Sequence, residues 1–160
     1  MAATPLASST RYYVTGTRQV YWVPSIASKA APTRSELDAG TDLTGEINAM
    51  AGFDPTSATV DTPDLASRFT SQIPGAITVS ASTITLYTSD DSQDARQIMP
   101  RDTAGFIVVF WEGDVAANLM DVFPVRVTAA PKDVTTTDAG MLTVNFAVTS
   151  EPAENVTVPT

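Results

Sequence analysis

Proline and glycine interrupt this chain too often for long helices: 11 prolines and 8 glycines are spread over its 160 residues. Between those interruptions Thr, Val, Ile and aromatic side chains dominate, which favours short strands over helices. The length is that of one ordinary domain, enough to bury roughly two thirds of the surface of the unfolded chain. With 43% hydrophobic and 17% charged residues the chain is too apolar for disorder, so a single mostly-β domain over residues 1–160 is expected.

Residues 11–15 and 17–23 form two β-prone runs around Gly16, ended by Pro24. The segment 24–44 has no convincing period. Within it Thr33 followed by Glu36 predicts a capping box for one helical turn closed by Gly40. Long irregular loops in compact domains usually carry a contact, so this segment is read as an interaction arm. Residues 45–53, 56–61 and 67–72 read as three strands with one wet face, closed by Ile73-Pro74-Gly75. Ile77 and Val79 alternate on odd positions and Ile84 and Leu86 on even ones, which predicts a bulge or turn between Ala81 and Thr83.

Residues 91–99 give the best helix, with Asp90, Asp91 and Asp94 near its start and Ala95, Ile98 and Met99 on one stripe that should lie against the sheet. The segment 105–112, apolar without interruption from 106 to 111, predicts a central strand covered on both faces. Residues 121–130 alternate as a strand in which Pro124 predicts an edge or a bulge, and 142–149 alternate most cleanly. The tail 151–160 is extended and too poor in apolar groups to fold alone.

The chemistry open to such a chain is narrow. It has no histidine and no cysteine, which excludes Ser-His and Cys-His catalysis, disulfides and thiolate-held metals. Asp38-Ala39-Gly40 and Asp138-Ala139-Gly140 resemble the Asp-Thr/Ser-Gly of aspartic proteases but lack the central hydroxyl, and read as Asp before a glycine turn. Asp90, Asp91 and Asp94 read as helix-capping carboxylates, since no glycine-hinged calcium loop follows them. Glu36, Glu46 and Glu112 are available to a glycosidase, but nothing pairs them. Gly52-Phe53 and Gly105-Phe106 read as strand punctuation, not phosphate loops. No enzyme activity, cofactor or metal is therefore expected.

The formal charge of −9 opposes a nonspecific grip on nucleic acid or anionic lipid. The first ten residues have neither the basic nor the apolar region of a secretion signal, and the longest apolar run, 106–111, is far short of the ~20 residues that span a bilayer. A cytosolic start and no membrane insertion are expected.

In order along nearly the whole chain, Val20-Tyr21-Trp22-Val23-Pro24, the 36–42 stretch ELDAGTD, Gly52-Phe53, Asp61-Thr62-Pro63-Asp64-Leu65, Arg68-Phe69-Thr70, Ile73-Pro74-Gly75, Gly105-Phe106-Ile107-Val108 and Val122-Phe123-Pro124-Val125-Arg126-Val127 resemble the major tail tube proteins of actinobacterial long-tailed phages and prophages. Their order carries the resemblance, not any single motif. It implies a β-sandwich or partial barrel with one flanking helix, six subunits per ring, and rings stacked into a hollow tube for DNA. It also implies a structural, non-enzymatic virion protein assembled in the host cytoplasm, with tape measure, tail tip and tail terminator proteins as further partners.

On this reading Glu46, Asn48, Thr59, Asp61, Thr70 and Gln72 are expected to face the lumen, where acidic and small neutral groups would not hold a passing polyanion. Contacts between subunits or rings are expected from the N-terminal arm 1–10, from the tail 151–160, and from Tyr21, Pro32, Arg34, Glu36, Leu37, Asp38, Thr41, Asp42 and Leu43. Deleting 32–40 should then leave a folded monomer that makes no tubes. The competing reading is a surface-binding β-sandwich, a capsid decoration or carbohydrate-binding module, displaying Tyr12, Tyr21 and Trp22. For Trp22 and Trp111 the alternative to ligand stacking is burial in a sheet or between subunits.

Overall fold

The computed structural model describes residues 13–89, 95–133 and 139–160. Among these, the chain runs β1 (Gln19–Val23), α1 (Arg34–Asp38), β2 (Thr41–Asp42), a 3-10 turn (Thr44–Glu46), β3 (Ile47–Ala51), β4 (Pro55–Thr62), β5 (Ser71–Val79), β6 (Ser82–Tyr87), α2 (Ala95–Ile98), β7 (Ala104–Phe110), β8 (Leu119–Ala129), β9 (Met141–Val148) and β10 (Ala153–Thr157). The main sheet has the order β2-β1-β7-β8-β9-β6-β3, with β10 paired to β8, and β4 and β5 form a separate two-stranded sheet. The fold is mostly β, as expected.

Strand alternation sorts the apolar side chains of the main sheet into two clusters. Val20 and Trp22, Ile107 and Val109, Phe123 and Val125, Leu142, Val144 and Phe146, and Ile84 and Leu86 share one face and form the larger core. In a flat sheet β1 and β9, three strand spacings apart, would be separated by about 14 Å. The Trp22 and Phe146 rings nevertheless lie 6.3 Å apart, so the sheet curls around this core as a partial barrel. Gly105 makes room for the Trp22 ring: a Cβ there would lie 2.5 Å from two of its carbons. Ala95 and Met99 close the same core from the helical side, as the stripe predicts.

On the opposite face Val108, Phe110, Met120 and Val122 are covered by Ile26 and Leu37 from the segment after β1 and by Val156 and Val158 from the C-terminal tail. β7 is therefore buried on both faces, which explains its unbroken apolar sequence. The turn expected near Ala81 separates β5 from β6, and β9 alternates as read.

Several expectations change. Residues 13–18 form a turn and not a strand, while 11 and 12 lie outside the described residues. Residues 67–70 belong to a loop, and β5 runs through Ile73-Pro74-Gly75 instead of ending there. Pro74 is tolerated because it faces Thr59 at a register shift in a two-stranded sheet. Pro124 sits in an interior strand, at the point where β8 changes partner on one side from β10, last paired at Val122, to β9, first paired at Val125. A missing donor is harmless in that gap, where the Pro124 carbonyl accepts from the Thr149 N–H instead. The tail docks on its own subunit as β10, with Val156 and Val158 buried. Of the helix expected at 91–99 the described part is α2, and residues 90–94 lie outside the described residues.

Candidate assembly surfaces

The segment 24–44 is fastened to its own subunit at each turn. Thr33 caps α1 in the predicted capping box. The Glu36 carboxylate accepts from the Thr33 N–H and, at 2.7 Å, from the Ala27 N–H, tying the preceding loop to the helix. Those backbone donors, Thr33 first, hold its pKa below the usual carboxylate range. Lys29 Nζ donates to the Glu151 carbonyl and so joins the loop to the tail.

Arg34 bridges Asp38 at 2.6 Å and Asp114, in the loop after β7, at 2.5 Å. The hydrogen bond from Arg34 holds the Asp114 carboxyl below its ordinary range. The Tyr21 hydroxyl donates to the same Asp114, and burial followed by the Asp114 charge pushes Tyr21 up to about 12. Thr41 and Asp42 form β2 against β1, and Asp42 accepts from the Thr44 N–H.

Three of the residues expected at subunit contacts are covered by their own subunit. Pro32, Leu37 and Leu43 are buried within the subunit, so their side chains are not available to a neighbour. Leu37, at 1% exposure, is part of the fold. What this segment can offer a neighbour is the exposed side of α1 and the outer edge of β2. The N-terminal arm 1–10 lies outside the described residues.

The β4–β5 hairpin has the opposite character. Two strands alone are marginal in water, yet this pair leaves Val60, Ile73 and Ile77 about half exposed and, at its tip, Leu65 and Phe69 at 108% and 77%. Its register places Thr59 opposite Pro74 and Asp61 opposite Gln72 on one face, with Val60 opposite Ile73 on the other. Gln72 Nε2 donates to Asp61 Oδ1 at 2.7 Å, so the polar face carries an ordered pair. Three of the residues read as lumen-facing, Thr59, Asp61 and Gln72, thus come together, with Thr70 in the adjoining loop. Glu46 and Asn48 are also exposed, but on the 3-10 turn and edge strand β3, where Asn48 donates to the Tyr87 hydroxyl at 2.9 Å.

The other candidates separate. Asp38 belongs to the Arg34 ion pair, and Asp138 lies outside the described residues. Trp22 is buried at 2% exposure and so offers no open ring of the kind the glycan-binding reading expected, Tyr21 is half-buried against Phe110, and Tyr12 lies outside the described residues. Among the described residues no group of three or more His, Cys, Asp or Glu is placed to hold a metal, and no helix is long and apolar enough to cross a membrane.

Sequence reading missed Asp114 and Asp121. Asp121 is 8% exposed and accepts from Trp111 Nε1 at 2.6 Å and from the Asn155 N–H at 2.7 Å, anchoring β10. A carboxylate on an inward-facing position of an apolar strand was the available signal.

The described chain is thus a curled β-sheet with a covering segment fastened to it and a hairpin left uncovered. The family model for phage tail tube proteins matches residues 6–160, and the chain belongs to that family. It is a structural subunit of the phage tail. A search of the curated proteins gave no match.

Solved structures share the fold. A chain from the sheath/tube terminator of an extracellular contractile injection system, PVC, in the extended state is 12% identical with a TM-score of 0.61, covering 91% of this chain and 97% of that one. A chain from the tail of an empty gene transfer agent (GTA) particle, computed with helical refinement and C6 symmetry, is 13% identical with a TM-score of 0.54, covering 85% and 93%. One from the PVC sheath-tube complex is 14% identical with a TM-score of 0.52, covering 91% and 97%.

Proposed function

We propose that six copies of this chain close into a ring and that the rings stack into a hollow tube through which phage DNA passes, without enzymatic activity, in tails of the kind carried by actinobacterial long-tailed phages or prophages. The observation that carries this is the β4–β5 hairpin: a two-stranded sheet with Val60, Ile73 and Ile77 uncovered is a poor end state for a monomer and a good one for a closed wall. Its Thr59, Asp61 and Gln72 face, with Thr70, lines the bore on this reading, and Glu46 and Asn48 stand beside it. The exposed faces of Arg34, Asp38, Thr41 and Asp42 meet neighbouring copies. Tape measure, tail tip and tail terminator proteins complete the set of partners.

Negative-stain electron microscopy of the purified chain tests the reading. Stacked rings with a central bore support it. Monodisperse monomers at every concentration, alone and with the neighbouring tail components, overturn it.

A further inference from the structure

We propose that the guanidinium of Arg18 is the receptor for a carboxylate presented by a second copy of this chain, in the seam between the start of β1 and the free edge of β3. The inference rests on the tube reading above and adds a residue that sets how copies recognise one another. Arg18 precedes β1, and its Cζ lies 4.3 Å from the Trp111 ring centroid. Its Nε is buried and has no hydrogen-bond partner among the described residues. A guanidinium carries five N–H donors and no acceptor, and a buried donor on a charged group is costly to leave unmatched.

The fork is also held in place. Trp111 beneath it is fixed by the 2.6 Å bond from Nε1 to the buried Asp121, so Arg18 is ordered before any partner arrives. Arg34 and Arg126 find carboxylates in their own chain, but among the described residues Arg18 does not, although Asp54 lines a groove with it.

Two observations identify the occupant. Arg18 lines a groove shared with Ile47, Asn48 and Met50 of β3, and β3 is the terminal strand of the main sheet, with main-chain groups unpaired on its outer side among the described residues. A segment lying along that edge gains main-chain hydrogen bonds while its acidic side chain meets Arg18, whereas a small free anion would leave the edge open. A second copy is well supplied for this, with 18 acidic side chains against 9 basic ones.

The test uses the full chain and its Arg18→Gln and Arg18→Met variants, the latter keeping the apolar stem over Trp111. Thermal melts report folding, and sedimentation with negative-stain imaging reports assembly. Both variants should melt as the wild type does, while the concentration needed for assembly rises about tenfold or more, as for loss of a desolvated charge pair. Arg18→Gln assembling like the wild type overturns the inference and leaves the tube reading intact. Loss of cooperative melting in both variants also overturns it, since Arg18 is then a folding residue. So does an Asp54→Asn variant that loses assembly equally, because the carboxylate is then the chain's own. Wild-type assembly that requires added phosphate seats a free anion there and overturns it too, and a wild type that never assembles refutes both readings.

Discussion

Truncating Leu37 to alanine distinguishes a segment that belongs to the fold from one that merely hangs on it. The side chain comes from α1, is 1% exposed, and packs in the cluster with Val23, Ile26, Val108 and Phe110. Removing it loses the transfer energy of the buried methyl groups and leaves a cavity that β7 cannot fill, because β7 is pinned by ladders to β1 and β8. Such truncations cost about 2–5 kcal/mol. Taking about 3 kcal/mol, and about 2–4 °C per kcal/mol for a domain of this size, the melting temperature should fall by about 6–12 °C. Calorimetry or circular dichroism on Leu37→Ala measures this, with the exposed Ala30→Ser as a control expected within about 0.5 kcal/mol of wild type. Deleting residues 32–40 removes Pro32 and Leu37 together and should abolish cooperative folding. A Leu37→Ala protein melting within about 2 °C of wild type, or a deletion that still melts cooperatively, would refute the claim that this segment is structural.

Asp121→Ala should lower stability by about 2–4 kcal/mol, because it leaves the Trp111 and Asn155 N–H groups without their acceptor, and hydrogen exchange should speed up first at the amides of β10. Gly105→Ala should cost about 1–3 kcal/mol in a thermal melt by forcing a methyl group into the Trp22 ring. Stability should also fall as pH rises from about 10 towards 12: the neutral phenol of Tyr21 is favoured in the folded state, so its contribution is complete below the ordinary tyrosine value of 10.0 and is lost through its folded value of about 12. Tyr21→Phe should flatten that part of the pH profile, and an unchanged slope would remove Tyr21 as its source.

What the sequence disclosed and what it hid divide along the range of the interactions involved. The capping box of Thr33 and Glu36 was legible because both its partners lie within one helical turn. The alternation of β9 and the doubly buried β7 were legible because burial of a strand is written into residues two apart. Arg34 and Asp114 lie 80 positions apart, and only the pairing of β1 with β7 beneath α1 brings them together, so no local pattern announces the pair. The tail misled for a related reason: Val156 and Val158 are too few to suggest a core, but they suffice when β8 already supplies Met120 and Val122 beneath them.

The hairpin was legible in composition and hidden in geometry. Its Thr, Ser, Asp and Gln residues marked a wet face, and the register then showed that the opposite side is apolar and equally uncovered. A strand pair whose sequence serves two environments, when the subunit provides neither a core nor a cover for it, is explained by surroundings that other copies complete. The same reasoning separates the two candidate contact regions: segment 24–44 spends its apolar groups inside the subunit, whereas the hairpin keeps Val60, Leu65, Phe69, Ile73 and Ile77 outside it. Substituting Val60 and Ile73 together by serine should therefore leave the melting temperature within a few degrees of wild type while weakening assembly, the reverse of what Leu37→Ala does. A double variant that lost its fold instead would place the hairpin's apolar face inside the subunit and not at the wall between copies.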